Sequence, residues 1–175
     1  MPGQAYTIVD DTGLLALVDP DSYGAYFASS WTLDDLDAHF RDEMAARHLL
    51  IWETGREGDW LIQVHLAPVM VTGYRELTGP ISVTSGRLLL TTFEGLSMAA
   101  QYADVTLPEP QDLEQVIAIP PGDYRCRLVQ VAPTGLDIPP QESQDRPDFV
   151  VELLPTAEDV PVWREFGWAN HFKRS

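Results

Sequence analysis

Pro120-Pro121-Gly122-Asp123 separates two apolar runs, residues 116–119 and 124–131, and no other stretch restricts the chain as much. Two prolines fix φ, while Gly122 and Asp123 tolerate left-handed backbone, so the four residues spell a tight reversal. Beyond the turn, Tyr124, Cys126 and Leu128 alternate with Arg125, Arg127 and Val129. A period of two belongs to a half-buried strand, with the first set facing inward. The pattern predicts a β-hairpin, and a hairpin needs a larger sheet to be stable.

The rest of the chain supplies candidates for that sheet. Residues 5–10 and 14–18 are apolar runs parted by Asp11-Thr12-Gly13, which reads as another hairpin. Asp19-Pro20-Asp21 is a turn, and residues 23–29 have the aromatic content of a third strand. Residues 48–53 and 60–66 flank a polar loop with two glycines, again a hairpin signature. Residues 74–77, 81–84 and 87–93 are short β-like runs broken by Gly79-Pro80 and Ser85-Gly86, and residues 149–154 form a last strand. Residues 94–103 fit a helical turn or a loop.

One segment changes period. Thr32 is a good N-cap with Asp35 three residues on, and Leu33, Leu36, Phe40 and Met44 follow at helical spacing. Residues 32–46 therefore read as an acidic amphipathic helix, with Asp34, Asp35 and Asp42 on its far face. Trp163, Phe166, Trp168 and Phe172 give the C-terminal tail an aromatic face that packs down, with a short helix expected after Pro161. Many short strands with turn signals and one helix point to an antiparallel β-sandwich, with residues 1–175 as a single domain.

Charge is the extreme feature of the composition. The formal net charge is −16, and residues 1–43 contribute half of it, with nine acids against Arg41. Such a field repels nucleic acid and anionic membrane and steers basic protein surfaces inward. Acidic surfaces also keep proteins soluble, and composition does not separate the two roles. The N-terminal stretch has no basic, apolar secretory pattern, and Cys126 is the sole cysteine. A reducing, cytoplasmic setting is the expectation.

Motifs for chemistry are sparse. Asp19-Pro20-Asp21 with Gly24 starts like an EF-hand calcium loop, but Tyr23 and Ser30 stand where oxygen-rich ligands belong. His39, His48, His65 and His171 show no metal spacing. Cys126 with His48 or His65 is a conceivable nucleophile and base, yet a thiol alternating with arginines on a strand fits a buried structural role better. Phosphate loops, nucleophile elbows and dinucleotide fingerprints are missing. No enzyme activity, cofactor or metal is expected.

The order of features resembles the competence-nuclease inhibitor (ComJ-like) family, small bacterial proteins that inhibit a DNA-degrading nuclease. Tyr23 and Phe27 precede Trp31-Thr32, which opens the acidic segment. The run 48–53, a polar loop and the strand 60–66 follow. Ile119-Pro120-Pro121-Gly122-Asp123-Tyr124 matches that family's proline–x–Gly-Asp-Tyr turn, and the strand 149–154 closes the match, over about residues 14–154. Residues 93–110 then form an insertion and 155–175 an extension. The resemblance implies a non-catalytic inhibitor or immunity-type protein whose acidic surface occupies the basic cleft of a nuclease or toxin. Asp19, Asp21, Asp34, Asp35, Asp37 and Asp42 are the candidate partner-binding residues. The alternative is a small-ligand or carbohydrate-binding sandwich in which the five tryptophans stack on a ligand.

Overall fold

The computed structural model describes residues 3–133 and 146–169. The chain runs β1 (Gln4–Asp10), β2 (Leu14–Val18), α1 (Leu33–Ala45), β3 (Leu49–Glu53), β4 (Gly58–His65), β5 (Arg75–Val83) and β6 (Arg87–Thr92). It continues with α2 (Phe93–Gln101), a 3-10 turn (Pro110–Gln115), β7 (Val116–Ala118), β8 (Gly122–Gln130) and β9 (Phe149–Pro155). The strands form two sheets, ordered β1-β4-β9-β8-β5 and β3-β2-β6-β7.

The two sheets differ in how they bury their residues. Strands of the five-stranded sheet such as β1 and β4 alternate buried and exposed positions. Strands of the four-stranded sheet are buried almost throughout, because both of their faces are covered. On one face Leu15, Leu17, Leu50, Trp52, Leu88 and Leu90 join Ile62, Tyr124, Leu128, Phe149 and Val151 of the other sheet in one apolar layer. On the opposite face Ala16, Val18, Leu49, Ile51 and Leu89 meet Leu36, Phe40 and Met44 of α1 and Leu96, Ala99 and Ala100 of α2. Residues 94–103, ambiguous in sequence, thus include most of a second helix, whose buried side closes this layer.

The three turns read as hairpins, and the Ser85-Gly86 break as well, are corners between sheets. Residues 116–119 hold β7 against β6, while β8 pairs with β5 and β9 in the other sheet. Likewise β1 and β2, β3 and β4, and β5 and β6 fall in different sheets. The inward facing of Tyr124, Cys126 and Leu128 nonetheless holds, since all three are buried. Asp10 builds the first corner: its buried carboxylate accepts the N–H groups of Thr12 and Gly13, both at 2.9 Å, and Gly13 takes φ +76°. The same carboxylate accepts from Thr54 and from the indole of Trp60, tying this corner to the β3–β4 corner.

Other expectations change with the packing. Residues 23–29 form no strand; they cross the helical layer, where the N–H groups of Phe27 and Ala28 both donate to the Ala100 carbonyl. Residues 74–77 and 81–84 fuse into β5, an edge strand, where Pro80 removes no ladder bond that the sheet needs. The sheets are not wholly antiparallel, because β4 and β9 run parallel. After Pro161 the described residues reach helical geometry only at their end, where the Ala169 N–H donates to the Phe166 carbonyl at 3.1 Å in a 3-10 turn. Gly167 bridges to Trp52, and the Trp163 indole donates to the Thr78 carbonyl at 2.9 Å. The tail thereby bridges edge strands β3 and β5. A side chain at Gly79 would stand 2.6 Å from the Trp163 ring nitrogen, so glycine is required there. Phe172 and His171 lie outside the described residues, and no described helix is long and apolar enough to cross a membrane.

Candidate functional site

Helix α1 begins with the capping box its sequence announces. The Thr32 hydroxyl accepts the Asp35 N–H at 3.2 Å, and the Asp35 carboxylate accepts the Thr32 N–H at 3.0 Å. Leu36, Phe40 and Met44 are the buried stripe; Leu33, at 60% exposed, is outside it. Spacing of four residues puts those three on one face and turns Asp34, Asp35 and Asp42 to solvent. Asp35 is held below the usual carboxylate range by its hydrogen bonds from Thr32. Asp37 is half-buried, and desolvation raises its pKa against the opposing pull of Arg41. The side chains of Asp34 and Asp42 make no hydrogen bond or ion pair among the described residues.

The two remaining candidates have different employment. Asp19 is fully buried, so the expectation that it contributes to a binding surface is corrected. One of its carboxylate oxygens accepts the Thr84 N–H at 3.0 Å, the Thr84 hydroxyl at 2.6 Å and the Ser22 hydroxyl at 2.8 Å. The other accepts the Asp21 N–H. A buried carboxylate must be satisfied in this way, and Asp19 uses its capacity to pin the end of β2 to the β5–β6 turn. Asp21 accepts a bidentate pair from Arg87, at 2.9 and 2.7 Å, and a bond from the Ser85 hydroxyl. Arg87 and then Ser85 hold its carboxyl at about 2. These two aspartates are committed to the corner, and no cluster of metal-ligating side chains occurs among the described residues.

Sequence reasoning missed the groups that border the acidic helix. Phe27 stacks on His39 of α1 at 5.1 Å, and Tyr26 and Phe27 remain 51% and 42% exposed. Glu43 pairs with His48 at 2.6 Å, closing the C-terminal end of the helix. The signal for these contacts was present as aromatic residues after the Asp19–Asp21 turn, but strand propensity obscured it. Tyr23, also buried there, has its hydroxyl pushed up by burial and by the Glu43 charge.

Features considered for chemistry are occupied elsewhere. Cys126 is buried and its thiol is pushed up to about 12 by desolvation and then by Glu152, which leaves no thiolate nucleophile near neutrality. His65 contacts the Gln63 amide. Arg127 reaches Glu76 and the buried Glu152, as paired strand arginines do. Trp52 and Trp60 are 1% exposed, and Trp31, Trp163 and Trp168 pack against the two apolar layers, so the tryptophans form no stacking platform. A cleft of about 690 Å³ lies between the β1–β2 and β3–β4 corners, lined by Thr12, Glu53, Arg56 and Glu57 among others.

Two solved structures share this arrangement. The chain is similar to a protein described as crocagin biosynthetic gene J, at 20% identity and TM-score 0.58, over 89% of this chain and 99% of that one. It is similar also to ComJ, inhibitor of the DNA-degrading activity of NucA from Bacillus subtilis, at 13% identity and TM-score 0.50, over 89% and 98%. The likeness is one of fold. It meets the resemblance read from the sequence. No protein-family model matches the chain. No curated protein matches it either.

Proposed function

We propose that this chain is a non-catalytic acidic binding protein of the inhibitor or immunity kind, acting in the cytoplasm by occupying the basic cleft of a nuclease or toxin. The observation that carries the reading is the outer face of α1, where Asp34, Asp35 and Asp42 stand exposed and Asp34 and Asp42 lack any cationic partner among the described residues. A net charge of −16 extends the same field over the molecule. Opposite charge accelerates encounter, and free carboxylates then pair with arginine and lysine side chains at short range. The fold shared with ComJ, itself an inhibitor of a DNA-degrading activity, supports the same direction. The contact set is Asp34, Asp35, Asp37 and Asp42, bordered by Tyr26 and Phe27, whose ring faces attract cations. Asp21 sits at the margin, already neutralised by Arg87.

The test is inhibition of DNA degradation by the basic nuclease that co-purifies with this chain or is encoded beside it. Wild type abolishes cleavage at equimolar concentration, and the Asp34→Asn/Asp42→Asn variant needs a large excess. Equal potency of the two proteins would remove α1 from the reading, and full cleavage with wild type would remove the inhibitor itself.

A further inference from the structure

One edge of the sandwich is left partly open. Strand β1 ends the five-stranded sheet and β7 ends the four-stranded sheet, and the Gln115 side chain joins the two edges by donating to the Thr7 carbonyl at 3.2 Å. Strand β7 lasts only from Val116 to Ala118. Beside its end lies a cavity of about 360 Å³, toward the small end of the roughly 300–1,000 Å³ usual for ligand sites. Tyr6, Val64 and Ile117, all buried, form its floor, and Leu66, Ala67 and Ala118 form its exposed mouth. The chain just beyond Ala67 is held in place, because Glu152 accepts the Val69 N–H at 2.9 Å and Arg127 donates to the Val71 carbonyl at 2.6 Å. A preformed apolar cavity with a polar group in its wall is the ordinary make-up of a small-molecule site.

Tyr6 supplies that group. It belongs to the apolar layer between the sheets, yet its hydroxyl is buried with no hydrogen-bond partner among the described residues. Burial also raises its pKa, so it is a protonated donor at neutral pH. Such an orphan donor costs stability until something accepts from it. A buried water would need about three polar partners, and this floor offers one. A ligand oxygen needs only the one. No aspartate, glutamate, lysine or arginine lines the cavity, and at its border His65 is engaged with the Gln63 amide at 3.1 Å. A charged ligand would be buried there unpaired, at high cost, so the occupant is neutral. We propose that the cavity binds a small neutral molecule, apolar apart from one carbonyl-type oxygen that accepts from the Tyr6 hydroxyl. The larger cleft between the β1–β2 and β3–β4 corners offers no such donor, since Arg56 already lies over Trp60 at 4.6 Å and donates to the Glu57 carbonyl. Helix α1 packs on the other face of the four-stranded sheet, so this site is separate from the proposed inhibitory surface.

Two probes of one shape separate the polar contact from simple filling: acetophenone, and α-methylstyrene, in which a CH₂ group replaces the carbonyl oxygen. Each is titrated into the full chain and followed by backbone amide NMR shifts. Acetophenone should give saturable shifts at Tyr6, Val64, Ala67 and Ala118 with a Kd of about 0.1 mM, and α-methylstyrene should bind about tenfold more weakly. Tyr6→Phe binds the two probes equally, and without probe it melts no lower than wild type, because the hydroxyl it loses had no partner. Ala118→Trp, at an exposed strand position, closes the mouth and abolishes binding of both. Shifts that fail to saturate or that map elsewhere, equal affinity of the two probes for wild type, a Tyr6→Phe that still tells them apart, or binding untouched by Ala118→Trp each overturn the proposal. No arm of the experiment involves a nuclease, so failure here is distinct from failure of the inhibitor reading.

Discussion

The corner that ends β2 and the outer face of α1 are both built on aspartate, and they use the carboxylate in opposite ways. At the corner, Asp19 is fully buried and saturated by Thr84, Ser22 and the Asp21 N–H, and Asp21 is clasped by Arg87. On the helix, Asp34 and Asp42 face water with no partner among the described residues, and between these extremes Asp35 serves the N-cap. The aspartates of these two regions therefore divide into a structural group and a free group. Sequence counts charges; only packing tells which of them remain available to a partner.

The largest expected effect lies at the buried end of this contrast. Asp19→Ala leaves the Thr84 and Asp21 N–H groups unsatisfied, and unfolding in urea should reveal a loss of about 3 kcal/mol, or roughly 6–12 °C in Tm. Asp19→Asn keeps one acceptor and loses less. A change of only about 0.5 kcal/mol in the alanine variant, the size typical of a surface site, would erase the distinction between corner and helix.

Next comes the cap. Thr32→Ala should cost about 1 kcal/mol, and Asp35→Asn a fraction of that, both measured by chemical denaturation. Asp35 is thus the one exposed helix aspartate whose replacement is not neutral for folding.

Asp21 gives a smaller, pH-dependent effect. Its folded carboxyl is held at about 2, below the ordinary 3.8, so its stabilisation is present above pH 3.8 and is lost as pH falls through the folded value. The gap in Tm between wild type and Asp21→Asn should accordingly shrink from pH 4 toward about pH 2. A gap that stayed constant through that window would mean the Arg87 pair contributes nothing to folding. Last, Asp34→Asn/Asp42→Asn should leave stability within about 0.5 kcal/mol of wild type.

The fold was partly legible, and the missed part had a signal. Turn chemistry located the reversals at 11–13, 54–59, 85–86 and 120–123 correctly, and alternation gave the facing of Tyr124, Cys126 and Leu128. What a turn cannot say is whether its flanking strands pair. The alternating runs QAYTIVD and GDWLIQVH belong to the sheet with one open face, and the nearly continuous runs LLALV, LLIWE and RLLL to the sheet covered on both. Each of the first two corners joins an alternating run to a continuous one, a mismatch that marks a change of sheet. Helix α1 was legible because cap, period and charge agree. The burial of Asp19 was not, since its partner Thr84 lies 65 residues away in sequence. The contacts that hold the backbone of Val69 and Val71 depend equally on residues distant in sequence, Glu152 and Arg127.

The central claim is that the free carboxylates of α1 receive a basic nuclease or toxin. Stopped-flow association rates for wild type and Asp34→Asn/Asp42→Asn, measured across a salt series around 0.1 M, where screening acts over about 10 Å, test it most directly. The account predicts fast association for wild type that falls steeply with salt, and a slower rate with a shallower salt slope for the variant. Superimposable rates and slopes would contradict it and leave these aspartates as solvated surface.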